Sequence, residues 1–179
     1  MKILVAILIV VFGAQMTVAQ DTTAHKFVGA LKCKLCHNTE KSGHQYKKWK
    51  ESKHAQAYAT LSTNKAKEFG KAKGIDDPQK SPACLKCHVT AYTIPAVLKD
   101  EKYSIEEGVS CESCPGAGGD YWRKEIMVDV YNKKIDRVSV GLRIPDQSVC
   151  ITCHNPDSPG YKEFKFEEFL QKISHKIPK

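Results

Sequence analysis

A mainly α-helical chain with little regular sheet, compact around bound groups rather than around a large side-chain core, is predicted by three observations. The eight cysteines fall in four C-x-x-C pairs at 33/36, 84/87, 111/114 and 150/153, with none left over. Three of those pairs are followed at once by a histidine: His37, His88 and His154. Apolar residues outside the N-terminal run are modest in number. Where they are regularly spaced they follow the 3.6-residue period of a helix, and only RVSVGL (137–142) has any β character.

Two thiols three positions apart can add to the two vinyl groups of a haem, and the histidine after them can bind the iron from the same side. Seven histidines in 179 residues make three such placements by accident a matter of about one in ten thousand. Zinc would use the pairs two by two but gives no reason for the histidines. Short-range disulfides leave them equally unexplained. The pattern therefore predicts haem c on Cys33/Cys36, Cys84/Cys87 and Cys150/Cys153, that is, a multihaem c-type cytochrome whose haems form its core. The remaining pair, Cys111 and Cys114, is followed by Pro115, which has neither imidazole nor N–H.

The N-terminus reads as a signal peptide over residues 1–19. Lys2 gives a positive head, Ile3 to Ala14 an apolar run, and Gln15 to Ala19 a polar tail with small residues before cleavage. Twelve apolar residues fall short of the roughly 20 needed to span a bilayer. An uncleaved anchor is the lesser reading, and no other segment is long and apolar enough to cross. Cleavage after Ala19 leaves 160 of 179 residues, one multihaem cytochrome c domain over 20–179, exported to the periplasm.

The formal charge of +8 and pI near 9.0 would suggest nucleic acid for a cytosolic chain. Export and the lack of an aromatic-basic module exclude that partner. Each ferric haem with two ionised propionates adds about −1, so much of the lysine excess is neutralised by the haems. Periplasmic redox proteins, one donor and one acceptor, are the partners expected.

Taking the elements in order, His25 lies in a polar leader before the first motif. Ser42-Gly43-His44-Gln45 has the form of a capping box, predicting a helix from there to about Leu61 with His54, Tyr58 and Leu61 on one face beside Trp49. Asn64 to Lys80 reads as a lysine-rich surface helix and loop. Ala91 to Glu107, with Pro95, reads as irregular wrapping. Gly116 to Gly119 reads as a flexible turn, after which Asp120 caps a helix striped by Trp122, Ile126, Met127 and Val130. Tyr131 to Leu142 is a short strand or an extended segment. Ser158-Pro159 opens the last helix, with Phe166, Phe169, Leu170 and Ile173 on one face and His175 at its end.

Beyond the three proximal histidines four remain as distal ligands: His25, His44, His54 and His175. Three haems ligated on both faces need three of them. A histidine at position 115 would bring the total to eight, enough for four such haems, so the parent sequence reads as tetrahaem.

The run QYKKWKESKHAQAY (45–58), the phrase PACLKCH (82–88), EGVSCESC with the following GAGGDY, and IPDQSVCITCHNPDSP (144–159) with a later His175 resemble the cytochrome c-554 family of tetrahaem periplasmic cytochromes. The likeness runs from about Leu31 to Lys179. It implies closely spaced haems in stacked and perpendicular pairs, a mainly helical fold and electron relay between periplasmic redox enzymes. It also implies that His54, in the segment from Trp49, is a distal ligand. Pro115 departs from the pattern. Either Cys111 and Cys114 hold no haem and form a disulfide, the reading preferred here, or a haem stays there by thioethers or packing, ligated from its distal side alone.

Electron transfer is the first functional reading, because haems crowded into so short a chain lie close together. Histidine on both iron faces blocks substrate access, and no acid–base pair or nucleophile accompanies the motifs. The alternative is a haem enzyme acting on nitric oxide or hydroxylamine at an open iron site. Nothing specific speaks for a sensor or storage module.

Overall fold

The computed structural model describes residues 24–175. The signal peptide expected over 1–19 lies outside the described residues. Among the described residues eight short α-helices follow one another: α1 (Ala30–His37), α2 (Gln45–Lys50), α3 (Ala57–Thr60), α4 (Asn64–Ala72), α5 (Pro82–His88), α6 (Lys124–Tyr131), α7 (Gln147–Ile151) and α8 (Phe166–Ile173). The β structure among the described residues is a single parallel bridge between Phe27 and Lys99. The mainly α, sheet-poor architecture is thus as the sequence predicts. No described helix is long and apolar enough to cross a membrane.

Local chemistry accounts for several helix starts. Thr63 accepts a hydrogen bond from the Ala66 amide and opens α4. Pro82 sits in the first turn of α5, where its missing N–H costs nothing. Asp146 accepts from the Ser148 amide at 2.9 Å and opens α7. The segment 91–107 is irregular as expected, holding only two 3₁₀ turns, at Ala96–Leu98 and Ile105–Glu107.

Five local expectations are corrected. The helix expected through Leu61 is broken, with turns between α2 and α3. Its capping box is not formed: His44, in left-handed conformation, precedes α2, and Ser42 bonds with Thr39 instead. RVSVGL is no strand. Asp136 accepts from the Val138 amide and turns Arg137–Val140 into a 3₁₀ helix that ends at left-handed Gly141. Two helix starts also differ: α6 follows Arg123 rather than Asp120, and α8 begins at Phe166, well after Ser158-Pro159. Where an expected cap is lost, its side chain has another partner: Ser42 bonds with Thr39, Asp120 with His25, and Ser158 with the Cys153 carbonyl.

Buried apolar side chains are few. Ala30, Trp49 and Ala55 form one cluster, joined by Tyr46 and Cys111, while Leu61, Leu85 and Val89 form another, joined by Tyr58, Cys84 and Tyr92. The two small clusters stand against cysteine-bearing motifs, and large apolar side chains such as Leu35 (70% exposed) and Tyr131 (87% exposed) remain uncovered. A side-chain core this small leaves room for bound apolar groups to complete it.

The segment from Glu107 to Gly118 holds the fold together. Glu107 accepts from the Ala30 amide through both carboxylate oxygens, each at 3.0 Å. The Gly108 carbonyl accepts from the Thr90 amide at 2.9 Å, just beyond α5. Val109 donates to the His54 carbonyl at 3.0 Å and accepts from the Trp49 indole at 2.9 Å. Glu112, only 1% exposed, accepts from the amides of Val28 (2.9 Å), Gly29 (2.8 Å) and Gly118 (2.6 Å). The turn expected to be flexible is therefore pinned at Gly118 by Glu112 and at Gly119 by the Lys26 carbonyl, 2.8 Å from its amide.

Candidate haem-binding sites

The first and second cysteine pairs lie on α1 and α5, each with its histidine as the final helical residue. The fourth lies on and just after α7, where the His154 amide continues the helical turn by donating to the Cys150 carbonyl at 3.0 Å. All eight cysteines are free, Cys111 and Cys114 among them, so the disulfide expected between those two is not formed. Burial pushes the Cys87 thiol up to about 11, with contact from Cys153 second, and raises Cys114 and Cys150. Contact with Cys33, then burial, raises Cys111. Thiols held protonated in this way make poor nucleophiles towards a substrate.

The ring nitrogens are arranged for metal ligation. His88 Nδ1 lies 2.8 Å from the Ala57 carbonyl, which can only accept, so Nδ1 carries the proton and Nε2 keeps its lone pair. His37 Nδ1 meets the side-chain oxygen of Gln45 in the same way. The His154 ring stacks on Phe164, centroids 4.7 Å apart, and faces His54 at 6.2 Å. Burial first, then His154 and His175, lowers the His54 pKa. Burial lowers His154, and burial followed by Lys48 lowers His175. Each imidazole is thereby kept neutral, the form that binds metal.

An apolar cavity of about 280 Å³ opens beside the first motif, lined by Cys33, Cys36, His37, Tyr121, Trp122 and Met127 among others, with Lys32 and Lys124 also in its wall. Free thiols, an oriented imidazole, an apolar wall and two cations form a donor set that suits haem c at this motif. The second and fourth motifs supply the same thiol and imidazole donors.

At the third pair the residues do not suit a haem. Cys111–Ser113 is one 3₁₀ turn, not a helix end, and Pro115 offers no ligand. Arg143 occupies the segment's carbonyls: its guanidinium donates to Cys114 O at 2.9 Å and Ser113 O at 3.2 Å, and its amide donates to Pro115 O at 2.9 Å. Behind it Gly116 packs so closely on Gly141 that a Cβ there would lie 2.6 Å from the Gly141 carbonyl.

Of the four remaining histidines, His54 and His175 are brought into one neighbourhood with His154. His25 is not loose in a leader. It is held by Asp120, 2.6 Å from Nδ1, and lies against left-handed Gly141, where any Cβ would strike the ring. His44 is exposed, its Nδ1 3.3 Å from the Asn38 carbonyl. Sequence reasoning missed Gln45 as a partner of His37, because the same residue satisfied a capping pattern. It also missed the burial of Glu112, whose position inside C-x-x-C gave no hint.

The motifs are neighbours across the fold as well as along it. The Cys33 and Cys111 thiols are in contact, and so are those of Cys87 and Cys153. Residues 32–116 match the family model described as Cytochrome c554 and c-prime. The chain resembles the cytochrome c-554 family. It is 28% identical over 182 aligned positions to Cytochrome c-554 of Nitrosomonas europaea, which covers 82% of this chain and 73% of the relative. No solved structure matches the chain.

Proposed function

We propose that the chain is a periplasmic relay that passes electrons through three closely spaced haems, attached at Cys33/Cys36, Cys84/Cys87 and Cys150/Cys153. Haem c, when bound, supplies an iron that changes between ferric and ferrous states. The observation that carries the reading is the contact of Cys87 with Cys153, 66 positions apart in sequence. It brings the second and fourth attachment sites side by side, so an electron has a short path between them.

The chain's residues serve the relay by holding ligands still. His37 and His88 are oriented through Nδ1 by Gln45 and the Ala57 carbonyl. His54 lies with its ring 6.2 Å from that of His154 and would provide a second imidazole to a haem held there. Lys32 and Lys124 provide positive charge for propionates beside the first motif. Export by the N-terminal signal delivers the chain to the compartment where its donor and acceptor proteins reside.

Two measurements on purified protein test this. Pyridine haemochrome analysis should report three haems per chain, and the oxidised protein should be mainly low-spin and titrate below Met/His-ligated cytochromes. A count of one or none, or rapid turnover of hydroxylamine or nitric oxide by the protein alone, would overturn the relay.

A further inference from the structure

We infer that Gln45 is a positioning residue that fixes the tautomer of His37 and thereby sets the redox potential of the haem at the first motif. The inference rests on the proposal that Cys33 and Cys36 hold a haem. It starts from a side-chain amide with two different ends and two different neighbours. The Gln45 nitrogen donates to the His175 carbonyl at 2.8 Å, and the Gln45 oxygen meets His37 Nδ1.

A backbone carbonyl can only accept, so the His175 contact decides which end of the amide points which way. The nitrogen must face His175, which leaves the oxygen for His37. An amide oxygen can only accept, so His37 Nδ1 carries the ring proton. Nε2 is then the unprotonated atom, the one a metal needs. With the amide reversed, its NH₂ would face Nδ1 and favour the opposite tautomer, with the proton on Nε2. The chain of donors therefore runs from His37 in the first motif, through Gln45, to the His175 carbonyl, the last step joining residues 130 positions apart.

An acceptor on the far nitrogen also makes a histidine ligand more basic, and hydrogen bonding around ligands is one of the means by which a protein tunes a haem. A more basic imidazole favours the ferric iron and lowers the potential. Gln45 lies on α2 and is not in the cysteine motif, so the control is exerted from a separate helix. His88 obtains the same orientation from a backbone carbonyl, which no side-chain substitution can remove. The first site alone has its orienting acceptor on a replaceable side chain among these two.

The test is potentiometric titration of intact holoprotein, followed optically and by EPR, for wild type, Gln45→Leu and Gln45→Glu. Both variants nearly keep the side chain's size. Gln45→Leu removes the acceptor and should raise the potential of one haem. Gln45→Glu offers His37 a stronger acceptor and should lower it. Shifts in opposite directions support the inference, since general loosening of the fold would move both variants the same way. Full haem content with unshifted potentials, or shifts of one sign in both, overturns it while leaving the relay standing. Peptide mapping that finds no haem on Cys33/Cys36 of wild type overturns the reading of the first site, and the inference with it.

Discussion

His54 and His154 face each other with ring centroids 6.2 Å apart and ring planes inclined at 59°. A haem at Cys150/Cys153 would be held by His154, with His54 as the candidate for its second imidazole. The two residues come from different parts of the chain, and each imidazole is kept neutral by burial. His54→Ala should therefore turn one low-spin haem high-spin in the optical and EPR spectra. Unchanged spectra would reduce His54 to a packing residue.

At the third pair Arg143 holds the carbonyls of Ser113, Cys114 and Pro115. Mass mapping of the segment should find Cys111 and Cys114 without haem. Pro115→His restores the missing imidazole, but the Arg143 clamp still closes the turn. Pairing it with Arg143→Ala should give the larger gain towards a fourth haem by pyridine haemochrome. A haem-modified Cys111/Cys114 peptide from wild type would refute this.

Glu112 accepts three backbone amides in a site only 1% exposed to solvent. Removing it by Glu112→Ala strands buried donors at a cost of about 1–3 kcal/mol each. A loss on the order of 3–5 kcal/mol is expected in denaturant unfolding. Glu112→Gln keeps one oxygen and should lose less. Equal stability of Glu112→Ala and wild type would show that these bonds are not maintained in solution.

Tyr103 donates to the Thr90 carbonyl, and burial, with Glu107 and Glu112 behind it, pushes its pKa up to about 12. A group raised in the folded state stabilises fully below its unfolded value near 10 and loses that contribution as pH rises through 12. Stability should fall across that alkaline window, and less steeply in Tyr103→Phe. At neutral pH the same variant should be less stable by about 1 kcal/mol, the worth of one hydrogen bond. Parallel pH profiles for the two proteins would count against the assignment.

The cysteine–histidine motifs, the helical character and the irregularity of 91–107 were legible in the sequence, because they depend on residues adjacent in the chain. Two cysteines and a histidine in five positions form an attachment motif whatever surrounds them, and proline and polar spacing limit a helix locally. The sequence also placed His54 on an apolar face, and it is partly buried beside His154, although the helix expected there is broken.

The partners were decided by the tertiary structure. Gln45 suited a local cap, yet its amide serves His37 and the distant His175. Asp120 suited a helix start, yet it holds His25. Both departures have one cause: a polar side chain at a turn has several acceptors or donors within reach, and packing selects among them. Glu112 shows the same thing more strongly. Its sequence neighbours mark it as a spacer between two cysteines, and only the return of residues 28–29 and 118 around it makes it the buried staple of the fold. Covalent motifs are written in consecutive residues, whereas a buried carboxylate is stabilised by amides that consecutive residues do not supply.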